Sequence, residues 1–392
     1  MRICLVYDRL HPLTLGGAER WLRDLAEALA TRGHDVTYLT LRHWERSVQA
    51  EIPGVRVIVV GPRLEAYNET RRRMLPPLVF GLCVFWHLLR HGRSYDAVHS
   101  ISFPYFSVLA AGALRKLGGY RLVVDWFEVW TREYWVEYVG RVAGTIGWAI
   151  QRLCLAFTQH AFCFSRLHAA RLRQEGYRGR IEILAGLYTG PPVPARPRPP
   201  EPVVVFAGRH IPEKRVPAIV PAIALAREQV PELRCEIYGD GPEQARVQRL
   251  VAEHQLEDAV RVFGFVDRAT VDDALERALC LVLPSRREGY GLVVVEASAR
   301  GTPSVVVREP DNAAVELVDD GENGVIAASA APADLAQAIL RVHAAGPALR
   351  EATAAWFADH AGRLTLESSL ARVVASYERS AADAPAPASA RS

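Results

Sequence analysis

The sequence is almost without lysine: Lys116 and Lys214 are the two present, and every other strong base is arginine. Such a bias reflects the genome more than the function. It still makes a surviving lysine worth examining, because an ammonium and a guanidinium are not equivalent at a site. Cysteine offers no scaffold either. None of the six (Cys4, Cys83, Cys154, Cys163, Cys235, Cys280) forms a Cys-x-x-Cys pair, and most sit in apolar runs. That argues against a disulfide frame or a zinc cluster and predicts buried thiols in a reducing compartment. Asp-x-Asp, His-x-His and His-Glu-x-x-His are all missing. A divalent clamp on phosphate has no visible ligands, so no metal site is expected. There is no long basic tract, and the formal net charge is +3 over 392 residues; nothing points to nucleic acid. The chain enters a strand-like run, Ile3-Cys4-Leu5-Val6-Tyr7, without the charged lead and apolar core of a signal peptide, so a cytoplasmic location is expected.

Long hydrophobic runs are also scarce. The nearest approach extends from Met74 to Leu89, flanked by Arg71, Arg72 and Arg73 and by Arg90 and Arg93. It is shorter than the roughly 20 residues a spanning helix needs, and Pro76, Pro77 and His87 interrupt it. Two readings stay open: a domain helix partly packed on the core, or a surface that rests on a membrane or grips a lipid acceptor. The second would place the chain peripherally on the inner face of the membrane.

What is present is a regular alternation. Apolar or β-branched runs at residues 2–7, 36–41, 55–60, 97–100, 122–126, 162–165 and 181–184 read as strands, with helical periodicity at 18–32 and 104–117. A proline-dense stretch follows Gly190 and ends at Glu201; it reads as a semi-rigid linker. The pattern then restarts. Strands are expected at 203–207, 235–238, 260–263, 280–283 and 304–307. Helices are expected at 216–228, 242–254, 271–277, 292–300, 331–345, 349–360 and 367–378. This predicts an α/β chain of two Rossmann-like, doubly wound parallel-sheet domains. The domains are residues 1–188 and 202–362, with a linker at 189–201, a helix at 363–380 crossing back to the first domain, and a disordered tail at 381–392. Binding loops at the carboxyl ends of both sheets are expected to face a central cleft.

The strongest chemical signal is Glu288-Gly-Tyr-Gly-Leu-Val-Val-Val-Glu296, just after a buried strand. Gly289 and Gly291 permit a tight turn and close approach of a ligand to backbone. The helix starting near Leu292 presents free N–H groups that favour an anion. Glu296 can accept paired hydrogen bonds of the kind a ribose diol offers, and Glu288 can reach sugar hydroxyls; as surface glutamates beside an ordinary turn they would do neither. The second signal is Gly208-Arg209 with Lys214 five residues on, a planar fork and a point charge suited to a diphosphate. Water-exposed cations at a helix start are the plainer reading. Gly16-Gly17 and Gly239-Asp240-Gly241-Pro242 lie between strands and helices, where backbone amides can cradle a phosphate or simply turn the chain. His99, at a strand end, either faces the cleft or is hydrogen-bonded within the domain.

In order and spacing, Gly16-Gly17-Ala18-Glu19-Arg20, Gly208-Arg209, Lys214, Tyr238-Gly239-Asp240-Gly241-Pro242, Phe263-Gly264-Phe265-Val266 and Glu288-x7-Glu296 together resemble the family 4 glycosyltransferases of GT-B fold. The resemblance covers most of the chain. It implies a retaining, metal-independent transfer of a sugar from a nucleotide diphosphate sugar to an acceptor. A UDP- or GDP-sugar comes first and an ADP-sugar remains open; no other cofactor is implied. It further implies that Arg209 and Lys214 hold the leaving diphosphate, Glu288 meets the donor sugar and Glu296 the ribose. Tyr238, Gly239, Phe265, Val266, Gly289, Tyr290, Gly291 and Leu292 would line the donor pocket, with Gly16 and Gly17 reaching the diphosphate. Relatives often carry a histidine against the donor sugar where this chain has Phe127, and phenylalanine can neither donate nor accept that bond. Asp125, Phe127, Glu128, His99 and Trp130 are therefore expected to govern donor or acceptor choice. An epimerase or phosphorylase on the same scaffold, or a silent sugar-binding protein, are the alternatives.

Overall fold

The computed structural model describes residues 1–14, 16–45, 47–64, 75–191 and 198–378. Met74, Arg71 to Arg73, residues 192–197 of the proline-dense stretch and the expected tail lie outside them. The chain forms two compact units, one from Met1 to Ala185 with the segment from Leu366 onward, the other Gly186–Thr365.

The first unit is built on seven strands: β1 (Arg2–Val6), β2 (Asp35–Thr40), β3 (Val55–Val59), β4 (Ala97–Ile101), β5 (Arg121–Trp126), β6 (His160–Cys163) and β7 (Arg180–Ile183). They lie in the order β3-β2-β1-β4-β5-β6-β7, and every pair is parallel. A parallel sheet is covered on both faces, so its central strands are apolar without alternation; all five residues of β4 are buried. Its helices are α1 (Gly17–Thr31), α2 (Leu75–His91), α3 (Tyr105–Gly118), α4 (Arg132–Val139), α5 (Arg141–Leu155) and α6 (Arg166–Gln174). Helix α3 packs against both α2 and α5. Their inward residues Phe80, Val84, Leu88, Val108, Leu114 and Leu155 share one core with Val98, Val124 and Trp126 of the sheet.

The second unit has strands β8 (Val203–Ala207), β9 (Arg234–Tyr238), β10 (Val260–Val262), β11 (Cys280–Leu283), β12 (Arg287–Glu288), β13 (Ser304–Val307), β14 (Asp311–Asn312) and β15 (Gly324–Ala327). Six of them form a parallel sheet ordered β10-β9-β8-β11-β13-β15, while β12 pairs only with β14. This is the Rossmann order, and the strand sequence reverses between β8 and β11, the point at which such sheets bind ligands beyond the strand carboxyl ends. Helices α7 (Ile219–Arg227), α8 (Gln244–Glu253), α9 (Arg268–Arg277), α10 (Leu292–Ser298) and α11 (Pro332–Leu364) complete the unit. Helix α11 breaks at Gly346 (φ 57°, ψ −146°), just before Pro347, which separates the two helices the periodicity predicts there.

The last helix, α12 (Leu366–Glu378), packs on α1 and β5 of the first unit. It is tied down by Arg32 to Glu367 at 2.5 Å and by Arg372, whose guanidinium donates to the Ile183 carbonyl at 3.0 Å. Among the described residues no helix is long and apolar enough to cross a membrane. All six cysteines are free, and burial pushes the thiol of Cys280 up to about 12.

Candidate functional site

In the second unit the loops after β8, β9 and β10 are knitted together by main-chain hydrogen bonds. Gly208 N–H donates to Tyr238 O at 3.0 Å, His210 N–H to Asp240 O at 2.8 Å and Gly239 N–H to Gly264 O at 3.1 Å. Gly239 is required at this contact: its φ is +115°, and a Cβ there would lie 2.0 Å from the Gly208 carbonyl oxygen. The sequence motifs Gly208-Arg209, Tyr238-Gly239 and Gly264-Phe265 are thus one continuous rim. On it Arg209 is exposed and forms no ion pair among the described residues, and Phe265 is 54% exposed. Val266 beside it is exposed as well.

Across the strand-order reversal, the loop after β11 joins this rim. Lys214 Nζ donates to Glu288 Oε1, and Ser285 Oγ donates to the same oxygen at 2.8 Å. Arg286 N–H donates to Glu213 O at 2.8 Å, clamping the two loops at the backbone as well. Glu288 is buried and its strand β12 is held by β14, so the carboxylate is fixed rather than mobile. Two residues 74 apart in the chain, both singled out by sequence, are in contact. Ser285, which completes the arrangement, was not anticipated; its position directly before the glutamate loop was the available signal.

Glu296 lies buried on α10, 3.6 Å from Arg268 Nη2. Gly291 caps that helix in the left-handed region, with φ 99°. The helix spans seven residues, shorter than predicted, because Ala299 to Thr302 turn back toward β13. Two expected donor contacts are placed differently. The Tyr238 ring is buried, stacks on Phe263 at 4.8 Å and gives its hydroxyl to Glu236 at 2.7 Å, so only its main chain lies on the rim. Tyr290 is also buried, and burial raises its phenol well above the usual range. The sequence also overlooked His210, a buried imidazole next to Arg209 in the chain whose pKa burial lowers.

The first unit reassigns several of the expected selectivity residues. Asp125 is wholly buried, accepting from Trp21 Nε1 at 2.7 Å and bonding His99 Nε2 at 2.8 Å; His99 Nδ1 meets the Tyr377 hydroxyl at 2.6 Å. Both polar ends of His99 and both carboxylate oxygens are used inside the unit, so neither residue is available to a sugar. Phe127 is half-buried and stacks on Phe164 at 3.8 Å. Glu128 accepts from Trp130 Nε1 at 2.7 Å, and Trp130 sits among Phe103, Tyr134, Trp135 and Tyr138. Gln151, unforeseen, is the polar centre of that cluster: its amide oxygen accepts from the Tyr105 hydroxyl at 2.8 Å. Gly16 is extended, and a Cβ on it would lie 2.2 Å from a Glu19 carboxylate oxygen. Glu19 turns back over Gly16 and pairs with Arg9 at 3.4 Å, while the space beside Gly17 is open. No three His, Cys, Asp or Glu side chains among the described residues are grouped so as to hold a metal ion.

Residues 16–185 match the family model described as "Glycosyl transferase 4-like domain", and residues 194–354 match "Glycosyl transferases group 1". The glycogen synthase of Mycobacterium tuberculosis is 28% identical over 355 residues, covering 86% of this chain and 84% of the relative. Among solved structures, the sucrose-phosphate synthase of Thermosynechococcus elongatus superposes with TM-score 0.78 at 21% identity, covering 96% of this chain and 98% of that one. HepE of Anabaena, solved with UDP-glucose, superposes with TM-score 0.71 at 19% identity, covering 96% of this chain and 100% of that one. With both halves matched by family models and both sheets in Rossmann order, the chain belongs to the group 1, GT4-type glycosyltransferases of GT-B fold.

Proposed function

We propose that this glycosyltransferase takes a nucleotide diphosphate sugar as donor, holds its leaving group without a divalent metal, and transfers the sugar with retention. The observation that carries the reading is the pair of cations in the loop after β8: exposed Arg209 and, five residues on, Lys214, which is held by Glu288 from the loop after β11. Charge grows on the departing diphosphate as the bond to the anomeric carbon breaks. Preorganised cations aimed at that charge lower the barrier more than they would in water. Arg209 supplies a planar fork to the phosphate oxygens and Lys214 a point charge. Glu288 keeps Lys214 aligned and faces the donor sugar, while Glu296 takes the ribose hydroxyls. Phe265 and Val266 border the base. The acceptor oxygen attacks on the face the diphosphate leaves, and its proton passes to the departing phosphate oxygen.

The HepE complex supports a UDP-sugar as the first donor to test, with GDP- and ADP-sugars alongside. Proton NMR of the product is expected to show the anomeric configuration of the donor preserved; an inverted product overturns the mechanism. Lys214→Ala and Arg209→Ala are each expected to lower kcat about 100-fold, and Glu296→Gln to raise donor KM with a smaller effect on kcat. Phe127, with Glu128 and Trp130, is assigned to donor or acceptor selectivity. Phe127→His is expected to shift the ranking of a donor and acceptor panel, and an unaltered ranking removes the assignment.

A further inference from the structure

Helix α2 is apolar on two opposite sides. Phe80, Val84 and Leu88 enter the core, as the inner face of a domain helix should. Yet Leu75, Leu78, Leu82, Trp86 and Leu89, spaced three and four apart, are all exposed, Leu82 by 54% and Trp86 by 53%. A helix apolar all round is ordinarily enclosed by protein or lipid. The feature recurs on α5, where Val142, Ile146 and Leu153 form a second exposed line at helical spacing. Helix α3 packs against both, so α2, α3 and α5 form one layer.

That layer has a uniform charge. Helices α2, α3 and α5 contain no aspartate or glutamate, and they carry Arg90, Arg115, Lys116, Arg141 and Arg152. Helix α1, by contrast, has Glu19, Asp24 and Glu27. A protein partner of average composition would not require acid to be absent from three helices. A sheet of anionic headgroups over hydrocarbon would: each acid would be repelled, each arginine attracted, and the leucines and tryptophan would reach the acyl boundary. Arg90 lies 5.2 Å from the Trp86 ring centroid, placing a cation at the depth at which tryptophan settles in a bilayer interface. A depression lined by Val60, Gly61, Cys83, Trp86, His87, Arg90 and His91 opens beside the stripe, with room for a headgroup.

We infer that the outer face of the α2–α3–α5 layer is a docking surface for a bilayer bearing anionic phospholipid, on which the chain lies without crossing it. The face contains none of the residues assigned to the donor, so the inference stands apart from the proposed reaction.

The test is flotation of the full chain with vesicles of phosphatidylcholine alone and with phosphatidylglycerol added. Tenfold or tighter binding to the anionic vesicles is expected, weakening as salt is raised. Leu82→Glu and Ile146→Glu, both at exposed positions, should each abolish flotation while leaving the melting temperature unchanged. Arg90→Gln with Arg141→Gln, which removes two cations and keeps the exposed leucines and tryptophan, should weaken binding roughly fivefold for each cation removed. Wild-type chain that stays unbound at low salt overturns the inference, as does undiminished flotation of either glutamate variant or of the double glutamine variant. A stable dimer that Leu82→Glu dissociates, with no vesicle binding by wild type, would show the face to be a protein interface and overturn it equally.

Discussion

Lys214 and Glu288 illustrate what a residue can and cannot reveal in sequence. The scarcity of lysine marks Lys214, and the Glu-x7-Glu spacing marks Glu288, but only the fold brings the ammonium onto the carboxylate. Asp125 and His99 lay equally close to a strand end in sequence and have a different fate, because burial cannot be read from a single position. The strand's pleat sends their side chains into a hydrogen-bonded network inside the unit. A pH effect follows at this scale. Burial, and next to it the charge of His91, lower the His87 pKa from 6.5 to about 4. The unfolded chain therefore binds this proton more readily than the folded one, so stability rises with pH between about 4 and 6.5 and is lost on acidification through that window. Burial lowers His34 and His210 in the same direction. The melting temperature is expected to fall from pH 6.5 to 4.5, and His87→Gln to flatten part of that slope. An identical slope in the variant would show that His87 is not a source of it.

At the scale of elements, α12 is fastened to the first unit by a buried chain of polar groups running from Trp21 on α1 through Asp125 on β5 and His99 on β4 to Tyr377. Removing one hydroxyl from such a network leaves a buried nitrogen without its partner, a cost of about 1–3 kcal/mol. Tyr377→Phe is accordingly expected to lower the urea midpoint without changing its slope; an unmoved midpoint would mean the network contributes nothing. The strands were legible because a parallel sheet demands continuous apolar runs, and Ile3 to Val6 or Val203 to Phe206 can be little else. Helices α4 and α5 were not. Gly140, Gly144 and Gly147 dilute the helical signal there. The structure shows their use: a Cβ on Gly144 would lie 2.4 Å from the Trp135 carbonyl oxygen. A tertiary contact, invisible to local periodicity, outweighs helix propensity.

For the whole molecule, the restart of the strand–helix alternation after the proline-dense stretch was enough to predict two Rossmann-like sheets, and right-handed crossovers limit how such strands can be ordered. The order itself, with its reversal between β8 and β11, came from the structure, and it explains why signals scattered from Gly208 to Glu296 converge in the second unit. The acid-free layer of α2, α3 and α5 was legible only as a single apolar stretch; its extension to α5 depends on packing that no one segment encodes. The central claim is that protein cations, rather than a divalent ion, hold the leaving diphosphate. It is tested most directly by the rate of nucleoside diphosphate release from the donor in excess EDTA, for wild type and for Arg209→Ala with Lys214→Ala. The account predicts an undiminished wild-type rate and a loss of at least about 100-fold in the double variant. A wild-type rate that collapses in EDTA and returns only with magnesium or manganese, or a double variant that keeps its rate, would contradict it.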